Sequence, residues 1–151
     1  GVDDDPRIVR AVPSPARQIP IIGAIAAGDA REAIEQEGRT FPWPEELCGS
    51  GDYAWVQASG NSMNRDFADR SLVLIDKQAE VRNGDIAAVY VNGDDVTIKQ
   101  IFFEDGTIRL HPRSYDSEYR DRVIDEDDPD APEVRFLGKA VTYTAPPDWR
   151  P

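Results

Sequence analysis

The chain has 151 residues, enough for one domain with its own core, and a formal charge of −12 from 29 acidic and 17 basic residues. That balance argues against this segment gripping a phosphate backbone, which takes clustered Lys and Arg. The one cysteine, Cys48, excludes an internal disulfide and fits a reducing cytoplasm; no apolar run approaches the ~18 residues of a membrane span, and none marks a signal peptide.

Residues 1–18 are acidic, then rich in Pro and Ala (Pro6, Pro13, Pro15), with no apolar period, and read as a linker or frayed end. Residues 19–151 form the domain. Ile19 to Ala27 is a strand-like apolar run broken by Gly28-Asp29, and Ala30 to Glu37 is polar and helix-compatible. Phe41-Pro42-Trp43-Pro44 reads as a stiff aromatic turn over the core edge, with a proline-rich docking ligand as the alternative. Cys48, after Pro44-Glu45-Glu46, reads as filler rather than a nucleophile. Gly49-Ser50-Gly51 then breaks the chain before a strand from Tyr53 to Ala58.

Further strands are predicted at Leu72 to Ile75, Ile86 to Val91, Val96 to Phe102, Thr107 to Leu110 and Val134 to Thr144. Turn chemistry separates them: a hairpin-type Asn83-Gly84, then Asn92-Gly93-Asp94-Asp95, then Glu104-Asp105-Gly106. His111 reads as a surface or packing residue, and no His/Cys/Asp set has metal-ligand spacing. The acidic run Asp125 to Asp130 reads as a solvated loop, since it lacks the glycine and spaced acids of a calcium loop. Many short strands divided by Gly/Asn/Asp turns predict a mostly β fold.

Two residue types in this pattern carry chemistry. Ser62 sits in Ser59-Gly60-Asn61-Ser62-Met63, a small-residue turn after an apolar strand. Lys99 lies thirty-seven residues on, in Val96-Thr97-Ile98-Lys99-Gln100, where alternation puts Thr97 and Lys99 on one face and Val96 and Ile98 on the other. A serine is a poor nucleophile until something takes its proton, and a lysine does that only as the neutral amine, which needs burial. On residue types alone, a turn serine and a solvated strand lysine are the commoner account of the pattern.

Ser59-Gly60-Asn61-Ser62-Met63 followed by Val96-Thr97-Ile98-Lys99 resembles the catalytic core of the LexA and UmuD family of self-cleaving serine peptidases, shared by lambda-type phage repressors. A third element, Pro20 to Gly28, resembles the family's cleavage-site segment, with Ala27 thirty-five residues before Ser62. Val81-Arg82-Asn83-Gly84 also matches, and the resemblance covers roughly Gln18 to Thr144. One departure is Asp69-Arg70-Ser71, where members show Asp-Gly-Asp. Type I signal peptidases carry a Ser-x-Met and a lysine on a related fold, but with a membrane anchor that is not seen here.

The resemblance implies a LexA/signal-peptidase-like fold of short antiparallel strands with a cleavage-site loop, and a mobile, often extended loop over Ala30 to Glu37. It implies Ser62 as nucleophile, Lys99 as base, the Met63 backbone N–H as oxyanion donor, Ala27-Gly28 as the bond cut, and Ile22, Ile25 and Ala26 as the segment's docking residues. Tyr119 would be structural, ending a turn motif at Asp116-Ser117-Glu118-Tyr119. No cofactor or metal is implied. The implied function is the C-terminal autoproteolytic domain of a LexA-like SOS or prophage repressor, cytoplasmic, homodimeric through its C-terminal strand and triggered by RecA filaments on single-stranded DNA. DNA would be bound only through an N-terminal helix-turn-helix domain that this sequence does not contain. A UmuD-like translesion-polymerase accessory and a non-catalytic dimerisation module are the alternatives; the Ala-Gly bond is of the repressor type, whereas UmuD-type members cut at Cys-Gly.

Overall fold

Alternation along each strand decides which of three apolar clusters its side chains join. The computed structural model describes residues 15–25, 33–92 and 96–151, with only the backbone described for 23–25 and 33–37. Its elements are β1 (Ala16–Ile25), β2 (Ala33–Pro44), a short α1 (Glu45–Cys48), β3 (Tyr53–Gln57), β4 (Leu72–Asp76), β5 (Ile86–Val91), β6 (Thr97–Glu104), β7 (Thr107–His111), β8 (Arg122–Asp125) and β9 (Val134–Thr144). Among the described residues, nine strands form one sheet in the order β2-β1-β3-β4-β9-β5-β6-β7-β8. The mostly β expectation therefore holds.

Ala54 and Val56 of β3, Val73 and Ile75 of β4, Ala88 of β5 and Ile98 of β6 meet Ile22, Met63 and Phe67 in the first cluster. The intervening residues face the other way. Trp55, Leu72 and Leu74 join Ile19 and Ile21 in a second cluster, and Ala87, Val89 and Val91 join Ile101, Ile108, Leu110 and Ile124 in a third. Strands buried on both faces read as continuous apolar runs, as Leu72 to Ile75 does. In sheet order β3 and β6 stand four steps apart, about 19 Å on a flat sheet. Their shared cluster requires the sheet to coil on itself, and that coiling sets up the site.

The structure departs from the sequence reading at several places. The β1 strand starts at Ala16, so residues 16–18 are paired rather than linker; residues 1–14 lie outside the described residues. Residues 33–37 are extended in β2, not helical, and Phe41 to Pro44 continues that strand instead of turning. Its prolines are tolerated because β2 is an edge strand. Phe41 and Trp43 do pack on the core edge, each edge-to-face with Trp55 at 5.6 and 5.7 Å. The sheet is mixed rather than antiparallel throughout, since β1 runs parallel to β3 (Ile21 beside Trp55, Ile22 beside Val56).

Asn83-Gly84 makes a turn, with Gly84 at φ 86°, but not a hairpin: β9 lies between β4 and β5. A true hairpin turn is Asp105-Gly106, both at positive φ, joining β6 to β7. The strand β8 and helix α1 were not anticipated. The last strand matches its predicted bounds. Its first half pairs with β5 and its second with β4, and Gly138 permits the crossing, because a Cβ there would sit 2.7 Å from the Asp76 carbonyl oxygen.

Candidate active site

Immediately after β3 the chain leaves the sheet and is caught by the turn leading into β4. Ala58 N–H donates to Ser71 O and Arg70 N–H to Ala58 O, both at 2.8 Å. The Asp69 carboxylate accepts from Gly60 N–H at 2.8 Å. Arg70 has φ 72°, so the turn is made with a non-glycine residue in the left-handed region. Downstream, Met63 and Phe67 are buried, and the Met63 carbonyl accepts from Asp66 N–H (3.0 Å) and Phe67 N–H (2.8 Å). Ser62 is therefore held between an exposed Asn61 and a buried anchor.

On β6, Ile98 points into the first cluster and Lys99 to the other side, as alternation predicts. The Lys99 Nζ lies 3.1 Å from Ser62 Oγ, 2.7 Å from Thr97 Oγ1 and 3.2 Å from the Ile98 carbonyl oxygen. Burial alone lowers its pKa from 10.5 to about 8, because the ammonium has lost solvating water. The three partners suit both protonation states. An ammonium donates to all three; a neutral amine donates to Thr97 and Ile98 and offers its lone pair to the Ser62 hydroxyl. Losing the proton therefore requires only that the Ser62 hydroxyl rotate.

A cavity of about 30 Å³ opens beside Ser62, lined by Gln57, Ala58, Gly60, Met63, Phe67 and Val96 among others. It has room for a water molecule or two. Among the described residues, the Met63 N–H has no hydrogen-bond partner. Such an arrangement can activate a hydroxyl by proton transfer to a desolvated amine, the Ser–Lys form of nucleophilic catalysis.

The structure thus brings Ser62, Met63 and Lys99 together. Ile22 is buried beside Val56, Met63 and Phe67 in the first cluster, and Ile25 ends β1. Ala26, Ala27 and Gly28 lie outside the described residues. Cys48 is buried in the second cluster against the Pro44 carbonyl, away from Ser62. His111 is a surface residue whose Nδ1 lies 2.6 Å from Asp121 Oδ1, and Tyr119 is partly exposed. No group of three His, Cys, Asp or Glu side chains among the described residues is placed to hold a metal.

Thr97 and Asp69 were not anticipated as part of the site. Thr97 was legible in principle, since two residues before Lys99 is the same strand face. Asp69 acts through a backbone N–H nine residues away, which no spacing rule announces.

The sequence matches the Peptidase S24-like family over residues 20–141. The chain belongs to that family, which is the LexA/UmuD-like group of self-cleaving peptidases. It is 36% identical over 138 residues to the LexA repressor of Thermotoga sp. (strain RQ2), covering 90% of this chain and 66% of that protein. It is 29% identical over 143 residues to the LexA repressor of Pelotomaculum thermopropionicum, with the same coverage, and 35% identical over 116 residues to that of Novosphingobium aromaticivorans, covering 73% of this chain and 49% of the relative. The chain spans less than two thirds of the length of these curated relatives. No helix among the described residues is long and apolar enough to cross a membrane.

Proposed function

We propose that this chain is the C-terminal autoproteolytic domain of a LexA-like repressor, a Ser–Lys serine peptidase that cuts its own Ala27-Gly28 bond. The observation that carries the reading is the 3.1 Å contact between Ser62 Oγ and a Lys99 amine whose pKa is lowered to about 8. Neutral Lys99 takes the Ser62 proton as Oγ attacks the Ala27 carbonyl carbon, and the Met63 N–H receives the developing oxyanion. Lys99 returns the proton to the Gly28 nitrogen as the C–N bond breaks. It then deprotonates the water that releases the Ala27 acyl group from Ser62.

The parallel pairing of β1 with β3 supports a reaction within one chain. Both strands advance toward the same end of the sheet, with Ala27 five residues past Ile22 and Ser62 six past Val56. A tethered substrate reacts at high effective concentration. Ile22, Ile25 and Ala26 would seat the segment, and the small side chains at 26–28 let a carbonyl approach the hydroxyl.

In the longer protein, cutting would separate this domain from an N-terminal helix-turn-helix domain and end repression, with a RecA filament on single-stranded DNA favouring the docked segment. The second half of β9 offers a homodimer contact: Val141 and Tyr143 are exposed, and residues 140–144 pair with β4 on one side.

The test is incubation of the purified chain at about pH 10, followed by mass spectrometry, since alkali deprotonates the amine. Two fragments split after Ala27 are expected, with Ser62→Ala and Lys99→Ala uncut. An intact wild-type chain would leave the non-catalytic dimerisation module as the better reading.

A further inference from the structure

The Ser62 loop is tied not only to β4 but to the strand pair that carries its base. The strand β7 is paired with β6 (His111 beside Gln100), and the chain leaving β7 at Pro112 runs directly under the loop. There Arg113 N–H meets Met63 Sδ at 3.2 Å, Arg65 N–H donates to Arg113 O at 3.1 Å, and Arg113 Nε donates to Asp66 at 2.7 Å. The Ser114 carbonyl accepts from Arg65 Nε at 3.0 Å, and Tyr115 N–H donates to Asn64 Oδ1 at 2.9 Å. Within this lacing the Ser114 hydroxyl lies 2.7 Å from the Asn61 carbonyl oxygen and 3.2 Å from Asn64 Oδ1, and it accepts from Asp116 N–H at 3.0 Å. A hydroxyl has one proton, and the shorter contact takes it.

We infer that Ser114 is a positioning residue for the nucleophile: its hydroxyl clamps the Asn61–Ser62 peptide and so sets the distance from Ser62 Oγ to Lys99 Nζ. The inference rests on the Ser–Lys reading above. The peptide unit is a rigid trans plane, so holding the Asn61 carbonyl orients the N–H and Cα of Ser62 with it. The residues before it give little support of their own. Ser59, Gly60 and Asn61 are exposed, and Gly60 sits at φ 77°, where it resists rotation least. Asp69 fixes Gly60 to the turn before β4, three strand steps from β6, whereas Ser114 fixes Asn61 to the segment leaving β7, the neighbour of β6. Of the two ties on the residues before Ser62, the second joins nucleophile and base to one frame, as the Arg113 and Tyr115 contacts do for the residues after it.

The experiment compares wild type, Ser114→Ala, Ser114→Thr and Ser62→Ala by two readouts across pH 7 to 10: self-cleavage, and labelling by a small fluorophosphonate that reports Ser62 independently of the cleavage segment. Thermal melting of each variant gives its folded fraction. Ser114→Ala is expected to lower the high-pH plateau of both rates by about tenfold, the rate equivalent of roughly one neutral hydrogen bond. The pH midpoint should stay in place, since Lys99 burial is untouched, and Ser114→Thr, which keeps the hydroxyl, should restore most of the rate. Wild-type rates in Ser114→Ala, equal loss in Ser114→Thr, or a loss matched by the unfolded fraction would each overturn the inference. Failure of the wild type itself to cleave or label, with Ser62→Ala no different from it, overturns the Ser–Lys reading and Ser114's role with it.

Discussion

The sharpest consequence of the Lys99 environment is a pH profile. An amine with pKa about 8 is about 9% neutral at pH 7, 50% at pH 8 and about 91% at pH 9. An ordinary lysine at 10.5 would be only about 0.03% neutral at pH 7, so burial raises the reactive population by roughly 300-fold. If the neutral amine is the base, the first-order rate of self-cleavage should rise about tenfold from pH 7 to pH 9 and then level off. Timed gel or mass-spectrometric assays at constant ionic strength from pH 6 to 10.5 would trace the curve. Among the described residues no titratable side chain meets Nζ, which contacts two hydroxyls and a carbonyl, and the shift is caused by burial. A rate still climbing tenfold per pH unit beyond pH 9.5 would mean that Lys99 is solvated, and a flat profile would mean that it is not the base.

Three further outcomes follow from the same structure. The pKa of Lys99 is lower folded than unfolded, so the unfolded chain binds more protons between pH 8 and 10.5 and stability rises with pH across that window. Below pH 8 the buried charge costs at most about 3 kcal/mol; Lys99→Met in a Ser62→Ala background should therefore gain about 1–2 kcal/mol in urea unfolding at pH 7, less at pH 10, and a loss at pH 7 would contradict the burial argument. Arg70→Gly should be stabilising by about 0.5–1 kcal/mol, because relief of the left-handed backbone exceeds what an exposed ion pair with Asp148 contributes; Arg70→Val should be destabilising, and chemical denaturation separates the two. Gly138→Ala should cost about 1–3 kcal/mol by the same measurement, since its Cβ meets backbone rather than a movable side chain.

The parts of the molecule legible in the sequence were those decided by local pattern. Ile86 to Val91 and Val134 to Thr144 emerged with their predicted bounds because apolar runs and flanking turn residues both pointed the same way. Residues 33–37 were misread because Glu35 and Glu37 fit a helix on propensity, whereas pairing with β1 decides the backbone. The strand β8 escaped because Arg122, Val123 and Asp125 are solvent-facing and Ile124 alone enters the core, so the run carries only two adjacent apolar residues and no period. At the site, chemistry and family likeness pointed to Ser62 and Lys99. Neither reveals that Asp69 and Ser114 hold the loop, because those contacts join segments that only the folded sheet brings together.

If the chain cuts itself as proposed, the geometry also limits where restraint on that reaction resides. A hydroxyl already 3.1 Å from an amine that is about 9% neutral at pH 7 forgoes only about tenfold in rate at that pH. The proton shuffle adds no further delay, because Thr97 and Ile98 accept from Nζ in either state. If the plateau rate above pH 9 is itself slow, the remaining barrier lies in bringing Ala27 to the hydroxyl. A trigger acting on the segment then has far more range than one acting on Lys99. In that case substitutions at Ile25 and Ala26 should change the plateau and leave the midpoint near pH 8, whereas changes around Lys99 should move the midpoint.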